Sequence, residues 1–178
     1  DYTLAMLASC KLNNGEPIRT LDQVMQQIGG LFLAIFVEIK VSELRVPPEQ
    51  TLLALADATI NIVKASGFAS TSIIISYDPT VLKRVGARQP EGIIGGWDDA
   101  DDEGVAQAKR WGLDWVLMPL RTVNPTIGAI ADGLGKPIAV YGVNSPTDYM
   151  RAQRAGVEAM MSDSIRTLCS LLGRKPGK

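Results

Sequence analysis

With 178 residues, 46% of them hydrophobic and 21% charged, the chain has the length of one domain with a single core and a composition far from that of a disordered segment. Eighteen basic against nineteen acidic side chains leave a net charge of -1, so no global field draws a polyanion, and nucleic acid is not an expected partner. There are two cysteines, Cys10 and Cys169, and no histidine, which excludes a Cys/His zinc site and a Cys–His nucleophile assembled from this chain alone.

The start, Asp1-Tyr2-Thr3-Leu4, has neither an initiator Met nor a charged and apolar leader, so a preceding segment is expected. Residues 1–19, with the turn formers Asn13, Asn14, Gly15 and Pro17, read as a surface connection holding one short helical turn. A helix over 21–28 follows, capped by Thr20. The first strand is 31–40; its apolar run ends at Glu38 and Lys40, well short of the ~20 residues a membrane span needs.

From there strands and helices alternate. Strands are expected at 72–77, 92–95, 115–118, 137–141 and 159–162, with helices at 48–66, 79–85, 101–111, 125–134, 146–155 and 165–172. Pro79, Pro125 and Pro146 open helices behind the caps Asp78, Asn124 and Ser145, and Gly67, Gly112, Gly135 and Gly156 stand where helices should stop. Continuous Ile/Val-rich strands between helices imply a parallel sheet, hence an α/β protein. The last four units recur about every 20 to 23 residues, a spacing that suits a barrel of β/α units. The helix at 21–28 lacks a strand before it. The expectation is therefore one domain over 1–178, a (β/α)8 barrel of the TIM type lacking its first two strands.

Such an incomplete barrel exposes two strand edges, which another chain or a missing segment would have to cover. The two cysteines pair only if the chain ends meet, which the sequence leaves open.

Chemistry is expected at the end of the first strand. The two-residue side-chain period puts Glu38 and Lys40 on one face, at the mouth of a barrel. Two readings stand there: a carboxylate for a divalent cation with an ammonium for a phosphate oxygen, or an ion pair that plugs the barrel. Tyr141 and Asn144 follow the fifth of the strands above, where barrel loops commonly meet a phosphate, although an aromatic at that position also serves as rim packing. Gly92-Ile93-Ile94-Gly95-Gly96 lacks a phosphate-loop ending and reads as a tight strand exit. The acidic run Asp98, Asp99, Asp101, Asp102 and Glu103 reads as a helix N-terminus carrying favourable negative charge. The basic tail of Arg174, Lys175 and Lys178 reads as a solvated end.

Several motifs carry a resemblance. The run Gly15-Glu16-Pro17-Ile18-Arg19-Thr20-Leu21-Asp22-Gln23-Val24, the strand end Val37-Glu38-Ile39-Lys40, then Ile74-Ile75-Ser76-Tyr77-Asp78-Pro79, Tyr141-Gly142-Val143-Asn144 and Met161-Ser162-Asp163 come in the order of the glycerophosphodiester phosphodiesterase family, which the chain resembles over essentially its whole length. The resemblance implies metal-assisted hydrolysis of glycerophosphodiesters, such as glycerophosphocholine, to glycerol 3-phosphate and an alcohol. It implies Ca²⁺ or Mg²⁺ as cofactor, Glu38 as a metal ligand, and Lys40, Tyr141 and Asn144 as substrate contacts. The family's His-Arg-Gly strand, Glu-Asn-Thr loop and Asp-Gly…His element have no counterpart here. With no histidine the expected general acid and base are absent, no catalytic residue is assigned, and the chain by itself is expected to be close to inert. A second expectation is a non-catalytic barrel relic that serves as a structural or binding subunit. Departures within the motifs are Tyr77 for Phe, Ser162 for Thr and Tyr141 for Trp.

Overall fold

The computed structural model describes residues 3–28, 35–41, 47–88, 93–94 and 102–174. Helix α1 (Leu4–Ser9) is capped by the Thr3 hydroxyl and buries none of its residues. The chain then turns back on itself through an antiparallel bridge between Lys11 and Pro17. At α2 (Leu21–Ile28), Thr20 and Gln23 cap each other: the Thr20 N–H donates to Gln23 Oε1 at 3.0 Å and the Gln23 N–H to Thr20 Oγ1 at 3.3 Å. This satisfies two amides that a helix start leaves without partners. Met25, on the inward face of α2, is fully buried.

Strand β1 (Ile35–Glu38), helix α3 (Glu49–Ala65), β2 (Ser72–Ile75), α4 (Pro79–Arg88), β3 (Ile93–Ile94), α5 (Asp102–Arg110), β4 (Val116–Pro119), α6 (Pro125–Gly133), β5 (Ile138–Tyr141), α7 (Pro146–Arg154), β6 (Ala159–Met161) and α8 (Ile165–Leu171) follow in strict alternation. Every ladder is parallel, with Glu38 opposite Ile75 and Tyr141 opposite both Pro119 and Met161. The α/β architecture expected from the sequence is present. A closed barrel is not: the described strands form two three-stranded sheets, β1-β2-β3 and β4-β5-β6. Strand β3 has two residues, and the segments 89–92 and 95–101 on either side of it lie outside the described residues. The start of the first strand (31–34), the glycines at 92, 95 and 96, the acidic residues 98–101 and the basic tail from 175 also lie outside them.

Strand side chains alternate between two apolar layers. Val37, Ile74, Val116, Met118, Ile138 and Val140 join the helices in one cluster, against Leu52, Ala56, Ile60, Val81, Leu82, Ala131 and Ala152. Ile73, Ile75, Leu117 and Ala139 form a second cluster with the half-buried Phe36, Trp115, Tyr141, Ala159 and Met161. Each Val, Leu or Ile taken from water there contributes about 1.5–3 kcal/mol. The second cluster joins residues of both sheets, as an inner face should. Cys10 is exposed, Cys169 is half-buried, and both thiols are free. Among the described residues no helix is long and apolar enough to cross a membrane.

Candidate functional site

The alternation of β1 decides where its charges go. Val37 and Ile39 are buried, while Glu38 and Lys40 are exposed. Beyond the last strand pair the chain remains tied to β2. The Ile39 N–H donates to the Ile75 carbonyl at 2.8 Å, and the buried Ser76 hydroxyl donates to the Ile39 carbonyl at 2.8 Å. Ser76 Oγ also accepts from the Asp78 N–H at 3.2 Å, and Asp78 Oδ1 caps α4 through the Thr80 and Val81 amides. Ile39 is thus clamped on both sides of its peptide, and Glu38 and Lys40 flank a fixed residue at the C-terminal end of the strand. Among the described residues neither makes an ion pair, so the two do not form the plug that the sequence allowed.

The second corner lies beyond β5. Tyr141 packs on the inner cluster, and Gly142 then turns the chain with φ +87°, a backbone that a side chain would strain. Asn144 is exposed but committed. Its Oδ1 accepts from Ser162 Oγ at 3.0 Å and from the Asp163 N–H at 2.9 Å, and its amide donates to Asp163 Oδ2 at 2.9 Å. The Asn144 N–H donates to Asp148 Oδ2 at 3.1 Å, and that same oxygen accepts from the Ser145 hydroxyl at 2.8 Å. The Ser145 hydroxyl and the Asn144 amide hold the Asp148 carboxyl below its usual range. The loops after β5 and β6 are therefore fastened by one asparagine.

Sequence reading found the charges on β1 from their alternation but gave Ser76 and Asp163 no role. Their partners lie 37 and 19 residues away in the chain, and neither residue type signals such a bond locally.

A cation site does not assemble from what is described. Glu38 is a single carboxylate, and no group of three His, Cys, Asp or Glu side chains is gathered among the described residues, whereas Ca²⁺ takes 6–8 oxygen ligands. The residues present do not fit a divalent cation without donors from elsewhere. A shallow cleft lined by Ala8, Pro17, Ile18, Arg19, Gln23, Gln26 and Gln27 shares no residue with either strand-end corner.

No known family profile matches the sequence, and no curated protein matches it. Solved structures do match. A glycerophosphodiester phosphodiesterase from Parabacteroides distasonis superposes with a TM-score of 0.81 at 17% identity, over 97% of this chain and 72% of its own. A phosphodiesterase from Oleispira antarctica, solved with its product sn-glycerol 3-phosphate, gives 0.82 at 15% identity, over 96% and 70%. A glycerophosphodiester phosphodiesterase from Agrobacterium tumefaciens gives 0.63 at 13% identity, over 84% and 60%. At such identities the likeness is one of fold: the chain has an α/β fold similar to that of the glycerophosphodiester phosphodiesterases, and its match spans part of their length.

Proposed function

We propose that this chain forms part of a β/α barrel hydrolysing glycerophosphodiesters to glycerol 3-phosphate and an alcohol. The observation that carries the reading is the pair Glu38 and Lys40, exposed and unpaired among the described residues, at the C-terminal end of a strand in a fold similar to phosphodiesterases. A lone ammonium there is a fixed positive charge for a phosphate oxygen, and its attraction grows as negative charge gathers on that oxygen in the transition state. Tyr141, half-buried against the inner cluster, offers an aromatic wall beside the ligand. Glu38 is a ligand for Ca²⁺ or Mg²⁺ only if the remaining donors come from polypeptide outside these residues. The same polypeptide has to bring the proton-transferring groups that the family draws from histidine, since the sequence has no histidine. The chain alone is then expected to be inert.

A second reading is favoured by those same two features, the missing histidines and the absence of a gathered donor set among the described residues. In it the barrel binds or supports another chain without turnover.

One assay separates them: release of glycerol 3-phosphate from glycerophosphocholine, with Ca²⁺ or Mg²⁺, by protein purified from its source beside a Glu38→Ala variant. The hydrolase reading expects turnover that the substitution abolishes. Absence of turnover with either cation sinks it and leaves the non-catalytic barrel.

A further inference from the structure

We infer that Asp163 reads the hydroxyl groups of a polyol phosphate and that Asn144, instead of touching the ligand, is the residue that positions it. The inference rests on the phosphodiester reading above and deepens it by dividing the ligand between two corners of the strand ends.

The geometry of Asn144 argues for the positioning role. An amide oxygen has two lone pairs, and those of Asn144 are taken by Ser162 Oγ and the Asp163 N–H. One amide hydrogen is taken by Asp163 Oδ2. Ser162 Oγ is itself held, accepting from the Ser164 N–H at 3.0 Å. To swing toward a ligand, Asn144 would have to break three bonds that join the β5 and β6 loops. What it presents instead is the carboxylate it grips.

Asp163 is exposed. Its Oδ2 is engaged by Asn144, and no described residue is bonded to Oδ1. No described Lys or Arg pairs with it. An ionised carboxylate only accepts hydrogen bonds. Without a cation beside it, it repels a phosphate and suits O–H donors. Lys40, exposed two residues beyond β1 and in no ion pair among the described residues, offers an ammonium at the other strand-end corner, so charge directs the phosphate there and the polyol to Asp163. A cationic head group is the competing complement of such a carboxylate, and the test separates the two.

Protein purified from its source is titrated calorimetrically with sn-glycerol 3-phosphate, inorganic phosphate and phosphocholine, beside Asp163→Asn and Asn144→Ala. Asp163→Asn keeps an oxygen that can accept from Asn144 while removing the charge. The expectation is a preference of about tenfold for glycerol 3-phosphate over inorganic phosphate in the native protein. Asp163→Asn should erase the preference with inorganic phosphate affinity unchanged, and Asn144→Ala should shrink it. A preference that survives Asp163→Asn overturns the inference and leaves the phosphate site standing. So does a loss confined to phosphocholine, which would assign Asp163 to a cationic head group. Equal weakening of all three ligands in both variants marks a merely structural clasp and overturns it too. Binding of none of the three by the native protein removes the phosphodiester reading together with the inference.

Discussion

Ser76 illustrates how much one small side chain can govern. It is 1% exposed and its hydroxyl serves the Ile39 carbonyl at 2.8 Å, so Ser76→Ala would leave a buried acceptor short of its donor. Such a loss costs about 1–3 kcal/mol, to be read from urea unfolding, and it should loosen the placement of Glu38 and Lys40. Lys40 carries a different prediction. Being exposed, it contributes little to folding, so Lys40→Met should leave the melting temperature within a degree or two while weakening phosphate binding by roughly tenfold in the same calorimetric assay.

Asp57 gives the pH dependence. It accepts from Arg84 Nε and Nη2 at 2.8 and 2.7 Å and pairs with Arg88 at 2.7 Å, bonds that lower its carboxyl from 3.8 to about 2. Because the folded value lies below the ordinary one, the folded state binds this proton less readily than the unfolded chain. The stabilisation is therefore complete above pH 3.8 and disappears as pH falls through about 2. Asp57→Asn should lower stability at neutral pH, and its gap from the native protein should close across that window in acid-titrated thermal melts.

At the scale of elements, the prolines and their caps place the helix starts well. Asn124 Oδ1 accepts from the Thr126 and Ile127 amides, and the Ser145 hydroxyl accepts from the Asp148 amide, each before a proline at the first turn. Asn124→Ala should cost about 1 kcal/mol in chemical unfolding. Helix ends are less legible. Helix α4 was expected to stop at Val85 but continues to Arg88, because its last turn is held from α3: Lys64 Nζ donates to the Arg88 carbonyl at 2.9 Å and Arg88 pairs with Asp57. Packing between α6 and α7 rests on a glycine that no local pattern marks. A Cβ on Gly128 would stand 1.9 Å from the Ala155 carbonyl oxygen, a backbone atom at a helix end that cannot step aside cheaply. Gly128→Ala, favourable by helix propensity alone, should instead destabilise the fold by about 1–3 kcal/mol, and a rise in melting temperature would show that the two helices separate freely.

For the whole molecule, the pattern of pairing orders the strands. Strands β2 and β5 have partners on both sides, whereas β1 and β6 each have a partner on one side among the described residues. Hydrogen exchange should find the amides of β2 and β5 slowest and those of β1 and β6 faster. Equal protection of β1 and β5 would mean that another strand covers the β1 edge in solution.

The sequence by itself determined the order of the elements, the parallel α/β class and the exposed face shared by Glu38 and Lys40, because alternation, capping residues and proline positions act over a few residues of chain. It also led to a barrel lacking its first two strands, whereas the described strands form two separate three-stranded sheets. Only the tertiary structure decided that Glu38 and Lys40 stay unpaired among the described residues, that Ser76 clamps the strand end and that Asn144 grips Asp163. Those outcomes depend on bonds between residues 37 and 19 positions apart, and such bonds are set by how sheets and loops come together in space.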